Sequence, residues 1–418
     1  MKNGILKMMI ANVLNKVVGM LSNMVLARVM TASNYGIWCY VLNVYSYLSI
    51  ASGLGLVSGA LQFGSENRGK EDEFKYYGYC LRIGMLIDTI LVVGFVIASF
   101  ICEFAFKEAN GYIRFYVPIL VLEYFSRILL IILRCENRVT EYTRISNVNT
   151  IVLALGTCIG AFWGIKGTLI GKYIAFFVTT SLVVFLSWPE IKKTFTARPL
   201  KKEQISELWH YSSFVGVSSA LNQLMYYIDV SMIAHLVNDA VAVANYKVAT
   251  FVPNALILIP NSIITVMLPD IIVHKNDNDW LKTRLKRVFV TLALINMIVC
   301  GILIIFAPLV IYILYGDGYS AAVPIMRVLL VDYFVSGTFR TISVNTIAGL
   351  KHVNYNLAIS LCSALADIVF NAILVNRFGV IGAAYATLGV VIIAGGMSFI
   401  YLVIKINKNR GKELSGNH

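Results

Sequence analysis

Seven bases and six acids stand inside or at the edges of long apolar runs: Lys16, Arg28, Arg82, Arg127, Lys172, Arg327 and Arg340, with Asp88, Glu103, Glu123, Asp229, Asp332 and Asp367. A charge at the centre of an apolar helix costs on the order of 3 kcal/mol, so side chains kept there pair with one another or face water or a ligand. Cations so placed can hold a phosphate-bearing anion. Acids so placed can carry a proton or Na⁺, or answer a nearby cation. Several of these residues fall on polar stripes at helical spacing. Asn12, Lys16, Gly19 and Asn23 form one, Ser218, Asn222, Tyr226 and Asp229 a second. Asp332, Ser336, Arg340 and Ser343 form a third, and Ser360, Asp367 and Asn371 a fourth. A stripe through an otherwise apolar helix implies water or a hydroxyl-rich ligand on that side. Tyr40, Tyr47, Tyr226 and Tyr227 are aromatic faces on which sugars could stack, or else part of an interfacial belt.

The elements that carry these stripes follow from composition. Of 418 residues, 58% are apolar and only 14% charged. Soluble domains sit nearer half apolar and a quarter charged, so this chain is a membrane protein. Twelve apolar segments are long enough to span, at 8–30, 37–63, 78–105, 115–133, 145–162, 168–189, 208–236, 248–269, 288–311, 323–348, 356–375 and 381–403. They must be helices, because lipid offers the backbone no hydrogen-bond partner. "NVLNKVVGMLSN" is too polar for the apolar core of a cleaved signal, so the first segment reads as a span. With the N-terminus placed in the cytoplasm, the segments between spans put 23 basic residues inside and 5 outside. That asymmetry fits the positive-inside rule with both termini cytoplasmic. The net charge of +13 is then a topological signal with some attraction to anionic lipid heads, and nucleic acid is not the expected partner.

The chain also repeats itself. "FWGIKGTLIGKYIA" and "RFGVIGAAYATLGV" align with Gly164 and Gly167 on Gly379 and Gly382, both 215 residues later. Tyr35 in "LARVMTASNYGIW" matches Tyr246 in "IAHLVNDAVAVANYKVA" at 211, and Val139 matches Val353 at 214. The longest break, "EIKKTFTARPLKKEQISEL", separates six spans from six. We therefore expect two parallel six-helix lobes, residues 1–189 and 208–403, joined by a basic cytoplasmic linker at 190–207 and followed by a basic tail at 404–418. Internal repeats of this kind are typical of transporters, with the binding site at the repeat interface.

Other chemistries find little support. There is no GxxxxGK[ST] phosphate loop, and the five histidines show no zinc spacing. The seven cysteines lie in or beside apolar runs and read as small hydrophobes. Asp277-Asn278-Asp279 in "HKNDNDW" resembles a glycosyltransferase metal motif, but only over three residues in a polar loop. The expected outer loops are too short for a catalytic domain. Glu123 and Arg127, four apart on one helix, either neutralise each other or leave Arg127 for a ligand. Arg82 and Lys172 sit near span ends and read as snorkelling cations.

At these residues the chain resembles a family. Twelve spans in two lobes, the "LARVMTASNYGIW" end of span one and "GIKGTLIG" before span six are similar to the Wzx-type flippases of O-antigen and capsule repeat units. These belong to the multidrug/oligosaccharidyl-lipid/polysaccharide (MOP) exporter superfamily, with MATE drug exporters and lipid II flippases as relatives. The resemblance covers nearly the whole chain and rests on the order and spacing of loose motifs. It implies alternating access of two lobes and an undecaprenyl-diphosphate-linked oligosaccharide moved from inner to outer leaflet of a bacterial cytoplasmic membrane. No cofactor is implied beyond H⁺ or Na⁺ coupling; membrane lipids, a polymerase and other polysaccharide-assembly proteins are the implied partners. "NKVVGMLSNMVLARV" also resembles the first span of lipid II flippases, which place a basic residue three before a glycine and use cations there for the lipid diphosphate. Lys16 and Gly19 match that pattern. Ser22 stands where a second basic residue is often found, and Arg28 is the next cation along.

The substrate-binding candidates are thus Lys16, Asn23, Arg28, Arg127, Asn222, Tyr226 and Arg340, and the ion-coupling candidates Asp229, Asp332 and Asp367. A MATE-like exporter of small cations is the competing reading. It would use an acid such as Asp229 or Asp367, while a lysine on span one suits anionic cargo better. A non-transporting scaffold would have no reason to keep striped, charged helices.

Overall fold

The repeated glycine pairs have a local cause. Gly164 and Gly379 each sit immediately before or at a helix start with positive φ, 71° and 63°, a conformation that costs glycine nothing. Three residues on, Gly167 and Gly382 let two backbones touch. A Cβ at Gly167 would lie 2.3 Å from the Gly160 carbonyl oxygen, and one at Gly382 2.0 Å from that of Leu374. The same turn and the same close approach therefore occur twice, once in each half of the chain.

The computed structural model describes residues 2–66, 69–274, 277–350 and 353–415. Among them there is helix and no strand. The chain divides into two compact units, residues 1–227 and 228–418. Unit 1 contains α1 (Lys2–Val29), α2 (Ala32–Ala51), α3 (Leu56–Gly64), α4 (Lys70–Ala98), α5 (Ala109–Tyr116), α6 (Ile119–Cys135), α7 (Val139–Ala161), α8 (Gly164–Leu186), α9 (Trp188–Thr196) and most of α10 (Lys202–Leu236). Unit 2 takes the end of α10, then α11 (Ala240–Leu256), α12 (Leu258–Val273), α13 (Asn278–Ile305), α14 (Ala307–Tyr315), α15 (Ala322–Val335), a π-helical turn (Ser336–Arg340), α16 (Thr341–Gly349), α17 (Val353–Phe378) and α18 (Val380–Ser415). Nine helical stretches among the described residues are long and apolar enough to cross a membrane. α1, α7 and α10 are not among them; α1 and α10 carry polar stripes.

In unit 1 the core gathers on Tyr124, fully buried, whose hydroxyl donates to the Cys80 carbonyl at 2.7 Å. The ring lies against Gly53 and Gly84, where any side chain would overlap it. Gly53 belongs to a short 3₁₀ turn, Ser52–Gly55, that breaks α2 from α3, with positive φ at Gly53, Leu54 and Gly55. Asp88 on α4 holds that break. Its two oxygens accept from the Ser52 hydroxyl and the Gly53 N–H, both at 2.7 Å, and it is wholly buried. One intramembrane acid is thus explained by backbone repair. α7 and α8 pack through Gly156 against Gly171 and Gly160 against Gly167, close backbone contact of the kind small residues permit between membrane helices.

The basic break between the expected lobes is partly helical. α9 is docked under unit 1: Arg82 donates to the Phe195 carbonyl at 2.8 Å, Lys193 lies 5.5 Å from the Phe74 ring centroid, and Arg138 bridges Glu141 and Glu190. Arg82 therefore anchors the linker instead of reaching for lipid heads.

Asp88→Ala removes the carboxylate oxygens that accept from the Gly53 N–H and from the Ser52 hydroxyl. Two buried donors without partners cost about 2–3 kcal/mol together. We expect a lower melting temperature in detergent, with Asp88→Asn retaining part of the loss; a wild-type melting curve for Asp88→Ala would show that the helix break holds itself.

Candidate functional site

Unit 2 concentrates its buried polarity where α10, α11, α17 and α18 meet. Asp229, 7% exposed, sits about two turns before the end of α10. Its Oδ2 accepts from the Tyr246 hydroxyl of α11 at 2.5 Å and from the Thr387 hydroxyl of α18 at 3.1 Å. Its Oδ1 accepts from Asn371 Nδ2 of α17 at 2.9 Å. The same amide nitrogen lies 3.1 Å from Oδ1 of Asp367, one helical turn earlier and 3% exposed. Two carboxylates thus share one amide, and the Asn371 carbonyl oxygen is itself buried without a hydrogen-bond partner. The i, i+4 spacing of Asp367 and Asn371 puts both on one face of α17.

A second polar group lies beside it. Asp332 on α15 has a buried Oδ1 with no hydrogen-bond partner. Arg340 closes the π-turn eight residues later, and its charge acts on both Asp332 and Asp367. Lys247 on α11 acts on Asp229. The three aspartates that the sequence singles out as ion carriers are therefore brought to one region of unit 2, together with Arg340. Tyr246, a repeat marker in the sequence, turns out to be part of the constellation. Asn371 and Thr387 carry no charge, and nothing in the sequence distinguishes Thr387 from any other threonine of an apolar helix.

Unit 1 holds its charges differently. Glu123 accepts from both Arg127 and the Tyr45 hydroxyl, so of the two sequence readings the structure realises the pair. Lys172 donates to the Tyr116 hydroxyl, with its ammonium 4.7 Å from the Tyr116 ring centroid and 5.5 Å from that of Trp38. The expectation that it snorkels is corrected: the cation is held by aromatic faces, an attraction strengthened where water is scarce. On α1, Asn15 donates to Ser146 at 3.2 Å and Ser22 lies 3.3 Å from the Thr157 hydroxyl, so this face packs on α7. Lys16 and Asn23 stand about 100° round the helix. Both are exposed, Asn23 donating back to the Gly19 carbonyl at 2.9 Å. A side chain at Gly19 would meet nothing within 4 Å. The Lys16 face of unit 1 is open. Arg28 is exposed near the end of α1, and Tyr226 is 66% exposed on α10. The side chains of Asn12, Ser218 and Asn222 lie outside the described residues. Asp277 of the three-residue acidic motif caps α13 by accepting from the Trp280 N–H at 2.9 Å, while Trp280 stacks on His274, a structural use of those residues.

An all-helical chain with open polar α1 and a buried acid pair in its second unit has the fold of the MOP-superfamily transporters. A MATE-family transporter in an inward-facing conformation superposes with a TM-score of 0.78 at 15% identity, over 95% of this chain and 96% of that one. The lipid II flippase MurJ, in an inward closed conformation, superposes with 0.74 at 18% identity, over 96% and 87%. Residues 1–273 match the family described as polysaccharide biosynthesis protein, and the chain belongs to that family. Among curated relatives, a probable low-salt glycan biosynthesis flippase of Haloferax volcanii is 20% identical over 91% of this chain and 79% of its own. An uncharacterized membrane protein of Methanocaldococcus jannaschii is 25% identical over 49% of this chain, a match that spans 42% of the relative's length. The protein is a multi-pass membrane protein with the fold of flippases and drug exporters.

Asn371→Leu leaves Asp229 and Asp367 facing each other without their shared donor. Removing one partner of a buried charged network costs about 2–3 kcal/mol or more. We expect a clear drop in thermal stability, larger than for Asn376→Leu, whose amide donates only to its own helix. Equal effects of the two substitutions would mean that the amide does not hold the acid pair.

Proposed function

We propose that the protein is a flippase that carries an undecaprenyl-diphosphate-linked oligosaccharide from the inner to the outer leaflet of a bacterial cytoplasmic membrane, for O-antigen, capsule or exopolysaccharide synthesis. The observation that carries the reading is the open cationic face of α1. Lys16 is exposed beside a glycine with free space around it, in a family named for polysaccharide biosynthesis. An ammonium on a diphosphate is a charge-assisted contact, while the polyprenyl tail needs only lipid. Asn23 and Tyr226 offer a donor and an aromatic face for sugar hydroxyls and rings, and Arg28 in unit 1 and Arg340 in unit 2 are further cations for an anionic cargo. Arg127 joins it only by leaving Glu123.

In this reading the chain works as two six-helix lobes, residues 1–189 and 208–403, with linker 190–207 and tail 404–418 in the cytoplasm. The count of twelve spans adds α1, α7 and α10 to the nine apolar stretches. Their lower hydropathy suits helices that border water. The coupling ion, H⁺ or Na⁺, binds at Asp229 and Asp367 with Asp332 near by. Membrane lipids are constant partners, and a polymerase receives the product outside.

A MATE-like exporter of small cations is the second reading, favoured by the same acid pair. The exposed lysine on α1 speaks for anionic cargo instead.

Two measurements test the proposal. Losing the Lys16–diphosphate contact removes about 1.5–3 kcal/mol of binding. Lys16→Ala should therefore slow transport of lipid-linked sugar into vesicles tenfold or more with normal membrane insertion, and Lys16→Arg should keep much of it. Normal export by Lys16→Ala would leave the lysine a surface charge. Collapsing the proton gradient or the sodium gradient should slow transport; a rate insensitive to both would rule out ion coupling.

A further inference from the structure

Among the described residues, the three aspartates of unit 2 outnumber the cations that act on them. Asp229, Asp332 and Asp367 interact with one another, Lys247 acts on Asp229, and Arg340 acts on Asp332 and Asp367. Three carboxylates face two cations. Charges withdrawn from water need a counter-charge within the protein or a bound ion. Yet Arg340 makes no ion pair within 4 Å among the described residues, and Asp332 keeps a buried oxygen without a hydrogen bond. The guanidinium stands near both acids and is locked to neither.

The π-turn explains how it gets there. Residues 332 and 340 are eight apart, and at about 100° per residue a regular helix would turn Arg340 about 80° away from Asp332. A π-turn absorbs one extra residue, so Arg340 takes the place of a residue seven on, within about 20° of Asp332. The Thr341 N–H accordingly reaches back five residues to the Ser336 carbonyl, and the Thr341 hydroxyl lies 3.0 Å from the same oxygen. The distortion is built in: buried Asn296 of α13 donates to the Thr338 hydroxyl at 3.0 Å and accepts from Tyr333 at 3.0 Å. Gly337 fits under the Tyr333 ring, 2.9 Å from where a Cβ would lie. Across from the turn, Gly395 of α18 faces the root of the arginine, with the Arg340 Cβ 3.5 Å from where its own Cβ would lie. A sequence that spends a buried asparagine, a tyrosine and a glycine on an irregular turn is holding Arg340 in a chosen place.

We propose that Arg340 is the tethered counter-ion of the unit 2 aspartates, a built-in cation that competes with the monovalent cation bound at Asp229 and Asp367 and swings off them when that cation enters. This rests on the ion-coupled reading above and deepens it, since the arginine released from the acids becomes available to an anionic ligand. Weak binding of the free ion is then a designed property: the resident guanidinium lowers its affinity, and its displacement is what ion binding accomplishes.

The test is equilibrium binding of ²²Na⁺ to the purified full-length protein in detergent, without cargo, against a background of N-methylglucamine chloride. Arg340→Gln should bind Na⁺ at least tenfold more tightly than the wild type, and Arg340→Lys should stay within about threefold of it, the factor corresponding to about 0.65 kcal/mol. The gain should vanish in the Arg340→Gln, Asp229→Asn double variant. Should Arg340→Gln fail to fold, Arg340→Met carries the test, because it removes the charge and keeps the apolar stem, and it should likewise bind Na⁺ at least tenfold more tightly than the wild type. Equal affinities in wild type and Arg340→Gln, undetectable binding in both included, would overturn the proposal, as would a gain that survives Asp229→Asn. Because no transport is measured, the result is independent of cargo: a normal Arg340 effect in a protein that moves no lipid-linked sugar would sink the flippase reading alone.

Discussion

Every polar decision in this protein is governed by one constraint: a charge or a backbone N–H withdrawn from water must be answered by the protein itself. Unit 1 meets it with closed local pairs. Glu123 has Arg127 and Tyr45, Lys172 has Tyr116 and aromatic faces, and Asp88 has the two donors of a broken helix. Each of these groups has a partner where it stands. They account for four of the eight charges in or beside that unit's apolar runs as architecture.

Unit 2 answers the same constraint with less. Asp229 is surrounded by neutral donors from three helices, Asp367 shares one of them, and Asp332 retains an unsatisfied oxygen. Neutral donors orient a carboxylate and reduce its need for water, but they do not cancel its charge. The π-turn belongs to the same economy, because it trades regular helix hydrogen bonding for the position of one cation. The contrast between the locally paired Glu123, Lys172 and Asp88 of the first unit and the aspartate cluster of the second is what separates structural from candidate functional charge here.

The glycines show the constraint acting on the backbone. Close helix contact in lipid gains from van der Waals packing and not from expulsion of water, so small residues appear where backbones meet. Gly156, Gly160, Gly167 and Gly171 do this between α7 and α8, and Gly382 does it between α17 and α18. The repeated sequence signature is therefore the trace of a repeated packing problem.

The sequence by itself determined the class and much of the plan. Apolar segment length and composition dictate membrane helices, since lipid leaves the backbone no alternative. The Gly164/Gly379 and Gly167/Gly382 spacing marks a turn and a contact that only glycine can make, so it is legible without coordinates. The thirteen charges in or beside apolar runs were equally legible as residues that need an explanation. What the sequence could not supply was the explanation for each, because partners come from helices far apart in the chain. Glu123 finds Arg127 one turn away, and that pair could be read; Asp229 finds Asn371 and Thr387 142 and 158 residues away, and those could not. Lys172 looked like a cation near a span end until Tyr116 and Trp38 closed around it. Asp332 and Arg340 appeared as i, i+8 neighbours on a regular stripe, and only the irregular turn between them, fixed by Asn296 from another helix, brings them to one face. Local periodicity is encoded in neighbouring residues, whereas the company a buried charge keeps is decided by tertiary packing, and it is that company which separates a structural ion from a working one.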